Sequence, residues 1–471
     1  MGNKNNKPRR LPRKLLIPPT IDELPVEIIY KILDELDICT IFTSLHHVCK
    51  RFDEILLTYG KYHLNFEKLS LNELNVICTR IRPEQVTELT LSDDENCSGF
   101  LELFLSKFSI ETFTCLRSLT LKQINDDEIM NKILLAMIDH QSLANCSTLK
   151  IVNSDENYDD VFVEIIMSVL TKPSLRDVHF DLSYSRTTSR PLPWIEQSSI
   201  EHLTFVGSCT VNFIRNTFIC VPRLECLTID DFDFDEEVNL DYLPEQMDDT
   251  DPESDEDLPE PDFHPPRKVE YTSIDPPNCL KSLVINTCSI PMLKLEWLLQ
   301  ELPMLKHLRL TTVSGYDDPT ILDGERWATL LINIERFEFL FVVNLSSETN
   351  FDMDICLMKF QTHFWIEGKQ WFVTLEKYDD DLILYSLPYL HQIFMIKNDL
   401  TSFETRSTVP EDSKVKFQSM KNVKELYIDA SELKKSPLEV MNFFSSIGLN
   451  RLFLSFFSRI FSHLDLLMSL R

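Results

Sequence analysis

Glycine is scarce in this chain, with 8 residues in 471. Phosphate-cradling loops need several glycines at fixed spacing, because the backbone must close on the anion without a Cβ in the way. Neither G-x-G-x-x-G nor G-x-x-x-x-G-K-[ST] occurs. A P-loop or dinucleotide-binding reading therefore loses its main support. Long apolar runs are missing too: none reaches the roughly 18 residues of a membrane helix, so no transmembrane span is expected. The 12 cysteines form no C-x-x-C pair and no Cys/His spacing suited to zinc. Several, such as Cys226 in LECLTI and Cys356 in DICLM, sit in apolar runs, where cysteine acts as a small hydrophobe. Without a secretory leader pattern they read as free thiols of a reducing compartment, cytoplasmic or nuclear. Also absent are G-x-S-x-G, H-E-x-x-H and the H-R-D and D-F-G signatures. Enzymatic activity, cofactors and metals are accordingly not expected.

Positive charge is in short supply as well. The chain carries 46 basic and 75 acidic residues, a net charge of −29. Such a surface repels phosphate backbones, so a nucleic-acid partner is not expected. The imbalance is local. From Asp230 to Asp262, 17 of 33 residues are acidic and none is Lys or Arg. Pro244, Pro252, Pro259 and Pro261 interrupt this stretch, and Pro265 and Pro266 follow. Self-repulsion and proline together predict a disordered acidic insertion over about 231–275, without the spacing of a calcium loop. Residues 1–19 carry Lys4, Lys7, Arg9, Arg10, Arg13 and Lys14 and read as a flexible basic tail. The chain begins Met-Gly, but Asn6 stands where N-myristoylation requires Ser or Thr, so a membrane tether is not expected.

What is present begins with a helical pattern over residues 20–60. Asp22 is placed to cap, Pro25 suits a helix start, and Ile28, Ile29, Ile32, Leu33 and Leu36 recur at helical spacing. A second set follows at Ile41, Phe42, Leu45, Val48, Phe52, Ile55 and Leu56. Two or three short helices are expected, with more apolar surface than so small a module can bury in itself, which predicts a partner. His46 and His47 are adjacent. On a helix they would diverge by about 100° and so would not share an ion.

From residue 61 onward the pattern changes to short segments close to L-x-x-L-x-L: 86–92, 116–122, 146–152, 175–181, 200–206, 224–230, 280–286, 305–311, 334–340, 423–429 and 449–455. Their central apolar residues are Leu89, Leu119, Leu149, Val178, Leu203, Leu227, Leu283, Leu308, Phe337, Leu426 and Leu452. Successive centres lie 24 to 30 residues apart, except for gaps of 56 at the acidic stretch and 89 near the end. Helix-like segments at 128–140, 161–170, 292–302 and 439–449 lie between them. Strand, turn and helix at this period predict a solenoid in which leucines stack on the leucines of neighbouring repeats. The fold class expected is α/β: a short all-α module, then an irregular horseshoe of short parallel strands with outer helices over 61–471. Residues 341–400 break the rhythm with an aromatic segment (Phe364, Trp365, Trp371, Phe372, Tyr378, Tyr385, Tyr389) that reads as an irregular β-rich insertion with a hairpin turn at Tyr378–Asp381.

The segment IDELPVEIIYKILDELDICTIFTSLHHVCKRF, residues 21–52, resembles an F-box. The resemblance is carried by Leu24-Pro25, Glu27, Ile28-Ile29, Ile32-Leu33, Leu36, Leu45 and Val48-Cys49-Lys50-Arg51. Phe52 stands where the family usually has Trp. With repeats behind it, the arrangement is that of F-box/leucine-rich-repeat proteins. This implies docking to a Skp-type adaptor, and through it to a cullin-RING ligase, by Leu24, Pro25, Ile28, Ile29, Ile32, Leu33, Leu36, Leu45, Val48, Cys49 and Phe52. The repeats would then bind an unknown client protein for ubiquitination. Residues between the leucines are the candidate client face: Glu88, Thr90, Ser118, Thr120, His202, Thr204, Thr228, Ser282, His307 and Arg309. The competing readings are an interaction scaffold without a ligase link and an enzyme framed on the repeats.

Overall fold

The computed structural model describes residues 21–94, 99–124, 126–138, 143–152, 169–181, 198–233, 276–288, 290–312, 318–344, 351–378, 381–390, 393–396, 404–410, 425–429 and 451–455. The chain has a mixed α/β structure of mostly parallel strands with intervening helices, in two compact units, Met1–Cys146 and Ser147–Arg471.

The first unit opens with a 3-10 turn at Ile21–Glu23, then α1 (Val26–Leu33). A short helix α2 (Ile38–Thr40) widens into a π turn at Ile41–Leu45, and α3 (Lys50–Thr58) follows. Pro25 is the N-cap of α1, and its carbonyl accepts from the Ile28 and Ile29 N–H groups. Proline fits there because no intrahelical bond is asked of its nitrogen. The expectation that Asp22 caps this helix is corrected, since Asp22 belongs to the preceding 3-10 turn. Asp37 does cap α2, accepting from the Thr40 N–H at 2.8 Å and hydroxyl at 2.6 Å. Ile29, Leu33, Ile38, Ile41, Phe42, Phe52, Ile55 and Leu56 form the buried centre of these helices.

Strands then alternate with helices: β1 (Tyr62–Asn65), α4 (Leu71–Arg80), β2 (Val86–Ser92), α5 (Phe100–Lys107), β3 (Ser118–Lys122) and α6 (Asp127–Ile138). Ser70 and Glu73 make a reciprocal capping box at the start of α4, satisfying backbone donors that would otherwise be unpaired. β1, β2 and β3 are parallel neighbours, with Leu64 opposite Leu89 and Leu89 opposite Leu119. The sequence pattern does not reveal β1, because Tyr62 and Leu64 fill only part of the L-x-x-L-x-L frame.

In the second unit β4 (Thr148–Val152), β5 (Asp177–Asp181) and β6 (His202–Thr210) precede α7 (Val211–Cys220). After them come β7 (Cys226–Asp233), β8 (Ser282–Cys288), α8 (Met292–Gln300), β9 (His307–Thr312), α9 (Gly324–Leu330), β10 (Arg336–Asn344) and α10 (Met353–Met358). Strands β4 to β10 pair in chain order and in parallel. Their central residues face one another in register: Leu149, Val178, Leu203, Leu227, Leu283, Leu308, Phe337. Two further buried rows flank this one. Leu175, Ile200, Leu224, Leu280, Leu305 and Ile334 make the row before it, and Ile151, Phe180, Phe205, Ile229, Ile285, Leu310 and Phe339 the row after it. Each side chain so buried contributes about 1.5–3 kcal/mol.

The backbone repeats as well. Where each strand begins, one carbonyl accepts two N–H groups from the next repeat: Ser147 from Arg176 and Asp177, Arg176 from Glu201 and His202, Glu201 from Glu225 and Cys226. Glu225, Lys281 and Lys306 continue the series. Side chains at this position form exposed pairs of opposite sign, Arg176–Glu201, Lys281–Glu225 and Lys306–Glu335 at 3.1, 3.2 and 3.5 Å. Exposed pairs of this kind add little stability.

The parallel order ends at β10. The hairpin of β11 (Val373–Tyr378) and β12 (Asp381–Ser386) adds antiparallel through β12, with Tyr378 opposite Asp381 as the turn expected from sequence requires. After β13 (Ile393–Ile396), β14 (Glu404–Ser407) closes this sheet against β11. β15 (Glu425–Asp429) and β16 (Arg451–Ser455) form a separate parallel sheet with β13, Leu426 opposite Leu452. All eleven segments picked from the sequence thus contain strands. Asp231, Phe232 and Asp233, assigned to the acidic insertion, belong to β7 instead, because Phe232 is buried opposite Cys288. The rest of that span up to residue 275, the 1–19 tail, the 439–449 helix and most of the 161–170 helix lie outside the described residues.

Candidate functional site

Helix α1 carries apolar residues on two sides. Ile29 and Leu33, four apart, point into the interior, each 1% exposed. Pro25, Ile28 and Ile32, spaced three and four apart, form a second stripe about 100° round the helix. Pro25 is exposed, Ile28 is 41% exposed and Ile32 is half-buried. Apolar residues on both sides of a helix mark one that is buried all round, and among the described residues the second stripe is left facing solvent. Ile21, in the preceding 3-10 turn, is 49% exposed as well.

The start of α3 supplies more apolar surface. Val48 is 58% exposed, and Leu24 and Leu45 are half-buried. Arg51 joins the starts of α1 and α3. Its guanidinium donates to the Leu24 carbonyl at 2.7 Å, so the Leu24-Pro25 corner is held against the first turn of α3. Three other residues fix the module. The Tyr59 hydroxyl donates to Asp34 at 2.8 Å, Arg80 to the Phe42 carbonyl at 2.5 Å, and the Gln85 amide to the carbonyls of Leu56, Leu57 and Tyr59 at 3.1, 2.9 and 2.8 Å. The Tyr59 hydrogen bond, aided by Lys61, holds the Asp34 carboxyl below its ordinary value. Burial raises the Cys39 thiol to about 11, with Glu73 and Asp37 adding to the effect.

The expected docking set therefore divides. Leu24, Pro25, Ile28, Ile32, Leu36, Leu45, Val48 and Cys49 keep some exposure. Ile29, Leu33 and Phe52, also in that set, are 1%, 1% and 2% exposed and lie in the interior of the module. Helical period alone could separate Ile28 from Ile29, but not say which side faces inward. Leu57, 53% exposed, belongs to the surface of this module and was not singled out from the sequence.

The candidate client-facing residues lie on the strand face between the buried rows. Glu88 and Thr90 stand opposite Ser118 and Thr120 in the first unit. In the second, His202, Cys226, Ser282 and His307 form one line, and Thr204, Thr228, Val284 and Arg309 another. Arg309 is not a free cation: it donates to Glu338 at 2.7 and 3.0 Å, and Arg336 reaches the other oxygen of that carboxylate. The aromatic segment is partly core. Trp365, Tyr385 and Tyr389 are buried, while Trp371 and Phe372 are half-buried. Lys369 lies over the Phe364 and Trp371 rings at 5.7 and 5.2 Å. Against known proteins, the chain matches no protein-family model and no curated sequence.

Proposed function

We propose that this chain is a non-catalytic substrate-recognition subunit of a Skp–cullin–F-box type ubiquitin ligase. In this reading residues 20–60 dock a Skp-type adaptor and an irregular leucine-rich-repeat region binds the client. The observation that carries it is the second apolar stripe of α1, Pro25-Ile28-Ile32, beside Leu24 and Val48. An exposed stripe of this kind is what a helix-in-groove partner covers. The repeated strands support the client half, since stacked repeats present an extended, side-chain-variable face. Catalysis would rest with other subunits. This chain would raise the local concentration of client lysines near the ubiquitin donor.

The test is co-purification of the full chain with a Skp-type adaptor. Leu24→Ala/Pro25→Ala/Ile28→Ala should keep the fold and lose most of the adaptor. Ile29→Ala, next to the stripe, should lose about 2–5 kcal/mol of stability as a core truncation while leaving the stripe's side chains in place. If wild type itself brings down no adaptor, the ligase reading fails. The repeat region would then stand as an interaction scaffold without a ligase link.

A further inference from the structure

The turn between the π turn and α3 holds a cluster that the adjacency of His46 and His47 in sequence hides. The two residues are not helical neighbours. His46 closes the π turn in extended backbone, φ −67° and ψ 133°. His47 adopts φ 65°, the left-handed region. That change of direction folds the pair over the first turn of α3, against Asp53. The His47 N–H donates to Asp53 Oδ1 at 2.8 Å. His47 Nδ1 lies 3.5 Å from Asp53 Oδ2, and His46 Nδ1 lies 3.9 Å from Oδ1. One donor atom from each residue falls within 4.8 Å of the other two. The expectation that these histidines diverge rested on a helical backbone and is corrected here.

We propose that His46, His47 and Asp53 form a binding site for a divalent transition-metal ion of the zinc type. Two imidazoles and one carboxylate, with a position left to water, is a donor set such ions take. Ligands on a tetrahedral ion at about 2.0–2.1 Å stand roughly 3.4 Å apart; here one donor atom of each residue lies within 4.8 Å of the other two, with His47 Nδ1 3.5 Å from one Asp53 oxygen and His46 Nδ1 3.9 Å from the other. His46 Nδ1 is buried and has no hydrogen-bond partner, and a buried polar atom left unpaired is one that a metal would satisfy. The His47 ring is 72% exposed, which leaves it room to turn toward an ion. A bound ion would tie the π turn to α3 and order Val48 between them. The site stands whether or not this module docks an adaptor.

The experiment titrates the reduced full chain with zinc ion alone, by calorimetry and by competition with a coloured chelator. His47→Gly is the decisive variant, because glycine suits φ 65° and the lost ring is mostly solvent-facing. Asp53→Asn is the second variant. His363→Ala, a surface histidine 3.3 Å from Glu367, is the control. The wild type and the control should bind one zinc more than the two variants, at micromolar free ion, with at least tenfold loss of affinity in each variant. If His47→Gly binds zinc as tightly as wild type, or wild type takes up none below about 0.1 mM, the site does not exist.

Discussion

Gly324 offers a sharp stability test. It is the first residue of α9, where alanine would ordinarily be the better helix former by about 0.5–1 kcal/mol. Here the space is taken. A Cβ on Gly324 would lie 2.5 Å from the Lys359 carbonyl oxygen, 2.8 Å from its carbon and 2.9 Å from Phe360 Cγ. Comfortable carbon contacts are about 3.5–4.0 Å, so the neighbours must retreat by about 1 Å. They are poorly placed to do so. Lys359 is held by its ammonium to Asp323 at 2.7 Å, Phe360 is fully buried, and the Trp365 indole donates to the Gly324 carbonyl at 3.0 Å. Overpacking of this kind costs about 1–3 kcal/mol or more and outweighs the helix gain. Gly324→Ala should therefore destabilise by about 1–2 kcal/mol, lowering the urea midpoint by roughly 0.5–1 M. All five tryptophans lie in the second unit, so their fluorescence reports its unfolding. Gly368→Ala, whose Cβ would meet nothing closer than 3.5 Å, is the control and should move the midpoint little. If both variants behave alike, the packing of α9 against the C-terminal end of α10 is wrong.

Two further outcomes follow from buried ionisable groups. Burial opposes ionisation of Glu338, but hydrogen bonds from Arg336 and Arg309 win and hold its carboxyl below the ordinary 4.5. A depressed acid contributes stability that is present above its ordinary value and is lost as pH falls through the lower folded value. Glu338→Gln should cost about 1–3 kcal/mol near neutrality and flatten the acid limb, read as urea midpoint against pH; an unchanged limb would refute the pairing. Burial raises the thiols of Cys288 and Cys356 to about 12, and raises Cys209 as well, whereas Cys115 is exposed. Timed alkylation with mass spectrometry should mark Cys115 before these three, which should react only on unfolding; early labelling of Cys288 would contradict its burial.

Much of the fold is legible in the sequence because it is written in rows. Leu203 aligns with Val178 and Leu227 on the strands beside it, so each apolar choice is repeated at the next strand and the spacing alone locates the strands. The reading weakens where a residue answers to a single local partner. Tyr62 and Leu64 of β1 lie at the edge of the sheet, pair with β2 alone among the described strands, and lack the full repeat frame. Arg309 looks like a free client-facing cation until Glu338, on the next strand, is found to hold it.

The candidate sites show the same division in sharper form. Stripes on α1 follow from helical period, yet which one is buried depends on what packs beneath, and that is decided by residues elsewhere in the chain. His46 and His47 make the point more strongly. Treating adjacent residues as divergent assumes a regular backbone, and one left-handed residue reverses the conclusion. A left-handed φ in histidine is uncommon but far from forbidden, and it costs on the order of 1–2 kcal/mol. Here part of that cost is returned by the His47 N–H bond to Asp53. If a metal ion returns the remainder, the strained turn is stabilised only when the ion is bound. His47→Gly should then separate the two terms, matching or exceeding wild-type stability without zinc and gaining nothing when zinc is added.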